Sequence, residues 1–130
     1  MDGERFEAVV LACSNTEAAR LTAPISPAWS AQAAALRHEP IVTVWLRDDQ
    51  LQLADAMLAL PSGPAAPAQF VFNLGRLHLA PASRGIWAWV ASGAAPWLQH
   101  GLAGCGQAVL AQARQTFPGS FQGADDQVLQ

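Results

Sequence analysis

The sequence predicts an α+β fold, an antiparallel sheet with flanking helices, and three observations lead there. Runs dense in β-branched and aromatic residues crowd the middle of the chain, at 41–47 (IVTVWLR), 69–73 (QFVFN) and 86–92 (IWAWVAS). Their connections are too short for the crossover helices that parallel strands require, so antiparallel pairing follows. Helical patterns lie on either side, at 15–21 and 27–37 before the runs and at 97–117 after them.

The elements follow in chain order. Residues 6–12 (FEAVVLA) are apolar on both faces and read as a buried strand. Ser14 or Asn15 offers an N-cap to a short helix over 15–21. Strand, turn and helix make half of a parallel α/β unit, and such a unit needs neighbouring strands. Ser26 followed by Pro27 reads as a cap with proline in the first helical turn, opening a helix over 27–37 with Trp29, Ala33 and Leu36 along one side. Pro40 ends it. The strand at 41–47 comes next, and Asp48, Asp49 and Gln50 mark a turn.

Residues 57–60 read as a short strand, and 62–67 as a loop of Pro, Gly and Ala. After the strand at 69–73, residues 74–76 form a turn and 77–79 a return strand. The spacing suggests a meander. The helix over 97–117 is interrupted by Gly101, Gly104 and Gly106, each costing about 1 kcal/mol in a helix interior. Pro118 and Gly119 stop it, and the tail reads as frayed. The chain divides into a segment 1–21, the strand-turn-helix piece, and a region 22–130 built around the sheet.

Composition narrows the function. About half of the 130 residues are apolar and 13% are charged, against roughly 25% in an average domain. Apolar surface for a ligand or partner is therefore expected. The net charge is −3, lysine is absent and no basic block occurs, so no nucleic-acid partner is expected. Cys13 and Cys105 do not form a CxxC pair, and an acidic N-terminus without an apolar run is unlike a signal peptide. Both fit a cytoplasmic protein.

Candidate chemistry is sparse. Trp45, Phe70, Phe72, Trp87 and Trp89 fall on alternating strand positions and are expected to share one aromatic sheet face. That face either walls a hydrocarbon pocket or is covered by the helices. Cys13 lies where a strand meets a helix N-terminus, a place that can activate a thiol, but no His is near in sequence to act as its base. His38, His78 and His100 lack metal-ligand spacing, so no metal site is expected. His38 beside Glu39 is equally suited to a solvated helix end. Gly101–Gly106 (GLAGCG) has the glycine density of a nucleotide loop without its preceding strand or its lysine. The residues alone present no catalytic group.

Four phrases in order, FEAVVLACSNTEAARL, PAWSAQAAALRHEPIVTVWLR, PAQFVFNLGRL and IWAWVASGA, resemble the middle of squalene-associated FAD-dependent desaturases. These enzymes, also called hydroxysqualene dehydroxylases, belong to the amine oxidase and phytoene desaturase superfamily. The resemblance spans roughly residues 6–117. It implies an internal piece of a two-domain flavoenzyme, inactive alone, acting on an isoprenoid, squalene-type or related hydrophobic substrate by dehydrogenation or dehydroxylation. In such enzymes the flavin does the redox chemistry and the protein orients it. The family's glycine-rich dinucleotide motif and its Gly-Asp motif are absent from this sequence. By similarity, Ala12, Cys13 and Ser14 correspond to a turn near the FAD, and FAD is expected in the parent but not on this chain. The implied partners are a hydrophobic small molecule and, for the parent, a peripheral membrane contact.

Two other functions remain open: a small α+β binding or self-association domain for an apolar ligand, and a thiol enzyme using Cys13. Residues 6–12, if exposed without their sheet, are expected to drive homo-oligomerisation.

Overall fold

The computed structural model describes residue 3 and residues 5–77 and 81–123. It is of the α+β class, and the chain divides into two compact units, one ending at His38 and the other beginning at Glu39.

The first unit is helical. Helix α1 (Asn15–Thr22) is capped by Ser14, whose Oγ accepts the Glu17 N–H at 3.3 Å. That bond satisfies one of the donors a helix leaves free at its start. Helix α2 (Pro27–Ala35) opens with proline in its first turn as expected, although the Ser26 side chain makes no capping bond. It ends two residues before 37, where Leu36 turns extended. Polar side chains tie the pair together. Asn15 Nδ2 donates to the carbonyls of Ala33 and Leu36 at 3.0 and 3.2 Å, and Ser30 Oγ donates to that of Ala19 at 2.7 Å. Ala18, Ala19 and Ala33 are buried between the helices, whereas Trp29 and Leu36 are exposed. Helix α2 thus belongs with α1, on the near side of the boundary at His38.

The expected strand at 6–12 does not form. These residues adopt no regular structure, and Phe6, Val9 and Val10 are 71%, 77% and 89% exposed. A strand is held by hydrogen bonds to a neighbour, and the helical unit offers none. Apolar, β-rich composition does not replace a missing partner.

The second unit holds a four-stranded, wholly antiparallel sheet: β1 (Ile41–Arg47), β2 (Met57–Ala59), β3 (Phe70–Asn73) and β4 (Ile86–Ser92). Its order is β1-β4-β3-β2. Strands β2, β3 and β4 form the expected meander, but β1 lies beside β4 instead of β2. This is Greek-key order read from the C-terminal end. The long link from β1 crosses to the far edge, and half-buried Leu51 and Leu53 on it pack against the core. Asn73 N donates to Ala56 O at 2.8 Å, and the Arg76 guanidinium donates to Ala54 O. Leu77 lies in a turn, while the rest of the expected return strand, with His78, falls outside the described residues.

One face of the sheet is covered by helix α4 (Gly101–Thr116), with the single turn α3 (Ala95–Leu98) ahead of it. The helix expected over 97–117 is broken at the first of its three glycines, because Gly101 takes a left-handed φ of 73° that other residues rarely adopt. Cys105, Val109 and Ala113 recur every four residues and form the buried stripe of α4. Burial pushes the Cys105 thiol up from its ordinary pKa. The stripe meets Val44, Leu46, Val71, Trp87 and Trp89 of the sheet.

Gln112 sits in this core at 3% exposure with every bond made. Its Oε1 accepts the Ala68 N–H at 2.8 Å, and its Nε2 donates to Ala68 O and Pro61 O at 2.8 and 3.3 Å. The side chain acts like one residue of a strand, pinning α4 to the loop before β3. Gln112→Leu keeps the bulk but strands a buried N–H and two carbonyls. It is expected to cost about 2–4 kcal/mol, measured by urea unfolding. A loss below about 1 kcal/mol would show that the amide pairing is dispensable.

Candidate functional site

Register decides what each face presents. Trp45 stands opposite Ala88, which stands opposite Phe72, which stands opposite Met57. The next row is Thr43, Val90, Phe70 and Ala59. Directly opposed residues share a face. The face away from α4 is therefore apolar across all four strands. Ile41, Trp45, Met57 and Phe70 on it are exposed, and Phe72 is half-buried. The Phe70 and Phe72 ring centroids lie 6.5 Å apart at 42°.

At the centre of this face lies Ala88, itself only 5% exposed, with Trp45 and Phe72 on the strands to either side. Strands are spaced at about 4.8 Å, so the two aromatic residues rise from backbones about 10 Å apart. The face's only charged residue in β1–β4 is Arg47 at one end, paired with Asp49 at 3.6 Å.

Trp87 and Trp89 do not belong to it. Trp87 stands opposite Leu46, and Trp89 opposite Val44, on the core side. The expected five-residue aromatic face is thus split: Trp45, Phe70 and Phe72 outside, Trp87 and Trp89 inside. The register offset between β1 and β4 causes this, because it pairs each odd residue of β1 with an even one of β4. Trp87 Nε1 donates to Asp48 O at 2.9 Å. Trp89 is fully buried and meets the edges of Phe117 and Phe121, with ring centroids 6.0 and 5.8 Å away.

A second concavity, of about 370 Å³, lies at the end of the sheet between Asp48, Asp49, Asn73, Arg84 and Gly85. Its tight wall needs glycine at 85, where φ is 70° and a side chain would collide with the Asp49 carboxylate. Both Asp48 carboxylate oxygens are already engaged there. They accept the N–H groups of Gln50, Leu51 and Phe121 at 2.7, 2.9 and 2.6 Å. The sequence marked Asp48 only as a turn residue. Its long-range bond to Phe121 has no local signal.

The expected flavin-proximal residues belong to the first unit, and both sites are built from the second. Ala12 and Cys13 are exposed on the irregular segment, and Ser14 is occupied in capping α1. No strand leads into that helix, so the strand-turn-helix cradle for a pyrophosphate is not formed by these residues. They do not fit FAD by themselves. Among the described residues no hydrogen bond joins Cys13 to a base, and His38 Nε2 instead bonds Asn15 Oδ1. No helix among them is long and apolar enough to cross a membrane.

No family model, curated protein or solved structure matches this chain.

Proposed function

We propose that this chain supplies the hydrocarbon-binding wall of an FAD-dependent oxidoreductase acting on an isoprenoid or squalene-type substrate, and is inactive alone. The carrying observation is the apolar outer face of the sheet, where Trp45 and Phe72 flank Ala88 and Phe70, Met57 and Ile41 continue the surface. It is exposed, spans all four strands and carries one charged strand residue, Arg47, which suits a flexible apolar chain better than a polar metabolite. The ordered resemblance to squalene-associated desaturases supports the same substrate class. The chain contains no glycine-rich dinucleotide motif, so flavin binding and redox chemistry are assigned to other segments of the parent. A cytoplasmic parent touching the membrane surface would draw such a substrate from the bilayer.

Photolabelling with a farnesyl chain bearing a diazirine tests this directly. Label is expected on the Trp45–Phe72 face, with Trp45→Ala and Phe70→Asp lowering apparent affinity about tenfold, equivalent to about 1.4 kcal/mol. Label scattered over the surface, or indifferent to both substitutions, would overturn the reading. FAD titration by calorimetry is expected to give no binding heat. Stoichiometric FAD binding to the chain itself would refute the assignment of the flavin to other segments.

A further inference from the structure

We infer that β1 is a homodimer interface, joining two copies of this chain edge to edge into one eight-stranded antiparallel sheet. This interface uses the strand's edge, not its apolar face, and is therefore independent of the ligand proposed above.

Strand β1 is the outermost strand on its side of the sheet. The direction of its backbone groups follows from the register. Asp48 N donates to Gly85 O at 2.8 Å, and on the other side of β4 Leu74 N donates to Ile86 O at 3.1 Å. In an antiparallel ladder the bonded pairs alternate. Hence Val42, Val44 and Leu46 exchange bonds with Ala91, Trp89 and Trp87, while Ile41, Thr43, Trp45 and Arg47 aim N–H and C=O away from β4. These four residues are exposed, and among the described residues none of their backbone groups is taken by another element.

The edge lacks the usual protection. Proteins blunt exposed edges with lysine, proline, bulges or very short strands. This one runs seven residues, its register with β4 is unbroken, and within the strand, which begins directly after Pro40, neither proline nor charge occurs before Arg47. The opposite edge, β2, is only three residues long.

The occupant that fits is a second β1. A two-fold axis at Val44 pairs Thr43 with the partner's Trp45, and Ile41 with the partner's Arg47. All the outward groups then meet in bonded pairs, about eight hydrogen bonds in total. Each strand has one cation, at its end, and the axis sets it opposite isoleucine, so no like charges face one another. Trp45 rests over the partner's Thr43, and the outer apolar faces become continuous. Such an isologous contact closes on itself and stops at the dimer.

Sedimentation equilibrium over a micromolar concentration series is the test, with amide exchange read by NMR. The mass is expected to rise from one chain to two. Over the same range the Thr43 and Trp45 amides are expected to gain protection, while those of Val44 and Leu46 are protected throughout. Thr43→Pro is the decisive variant, because it removes only an outward N–H, which an edge strand tolerates. It is expected to return the mass to one chain with the circular dichroism spectrum unchanged. Should that variant unfold, Thr43→Lys, which puts charge on the edge without touching a backbone bond, is expected to give the same monomer. Three results would overturn the inference. They are a parent chain that stays monomeric, Thr43 and Trp45 amides that exchange freely at every concentration, or a dimer kept by folded Thr43 variants and broken by Phe70→Asp. The last would place association on the face.

Discussion

Trp89→Ala is expected to lower the stability of the sheet unit by about 3–5 kcal/mol, the range for deleting a large buried aromatic. Trp89 is fully buried, stands opposite both Val44 and Val71, and takes Phe117 and Phe121 against its ring. Its removal opens a cavity where sheet, helix and C-terminal turn converge, and close-packed interiors refill such gaps poorly. The side chain also carries a cost. Among the described residues Nε1 is buried with no hydrogen-bond partner. Trp89→Phe loses part of the ring but removes that orphan donor, so the two effects oppose each other. It is expected to cost less than about 2 kcal/mol. Urea unfolding followed by circular dichroism measures both. Equal losses for the two variants would mean that the unpaired N–H is satisfied in solution.

Asp48→Ala is expected to cost about 2–4 kcal/mol by leaving its donors unpaired, most seriously the N–H of Phe121. Phe121 is 1% exposed and holds a left-handed φ of 56°. That conformation is uncommon outside glycine and persists only where its surroundings enforce it. Three contacts do so: Asp48 takes its N–H, Arg114 Nε donates to its carbonyl at 2.8 Å, and its ring packs on Trp89. Asp48 thereby fastens the turn after α4 to the end of β1, across the whole second unit.

The same carboxylate makes stability depend on pH. Burial raises its pKa, but the N–H groups of Phe121, Leu51 and Gln50 outweigh burial and hold it below the ordinary value. Folding thus favours the ionised form. The stabilisation is complete above the unfolded value of about 3.9 and is lost as pH falls through the lower, folded value. Asp48→Asn keeps an acceptor but cannot ionise. The stability gap between parent and Asp48→Asn is expected to shrink from about pH 7 to about pH 3. A gap that stayed constant would assign the acid sensitivity elsewhere.

The sheet-forming runs were legible because their signal is local. IVTVWLR and IWAWVAS each became a seven-residue strand with the expected ends. Pro27 opened α2, and Ser14 capped α1, because capping chemistry depends on residues within one turn. Helix α4 formed despite its glycines. Its buried stripe, spaced every four residues, packs against the sheet, and tertiary packing outweighs a propensity cost of about 1 kcal/mol per glycine.

The candidate site was half legible. Alternation put Trp45, Phe70 and Phe72 on strand faces, and the outer face of the sheet contains them. It could not exclude Trp87 and Trp89, since each strand has two faces and composition does not say which of them meets the helix. Gln112 gave no sign, because glutamine in a helix ordinarily faces water. FEAVVLA misled for the opposite reason: it has a strand's composition without a strand's neighbour.

By itself, then, the sequence determined the α+β class, the strand-forming runs, the capped helix starts and the scarcity of catalytic side chains. Each depends on residues close together in the chain. Tertiary structure alone decided that β1 joins β4, that two tryptophans turn inward, that Asp48 holds Phe121, and that β1 is an edge strand. All four rest on pairing between residues tens of positions apart. There the free energy comes from mutual burial and matched hydrogen bonds rather than from any local preference.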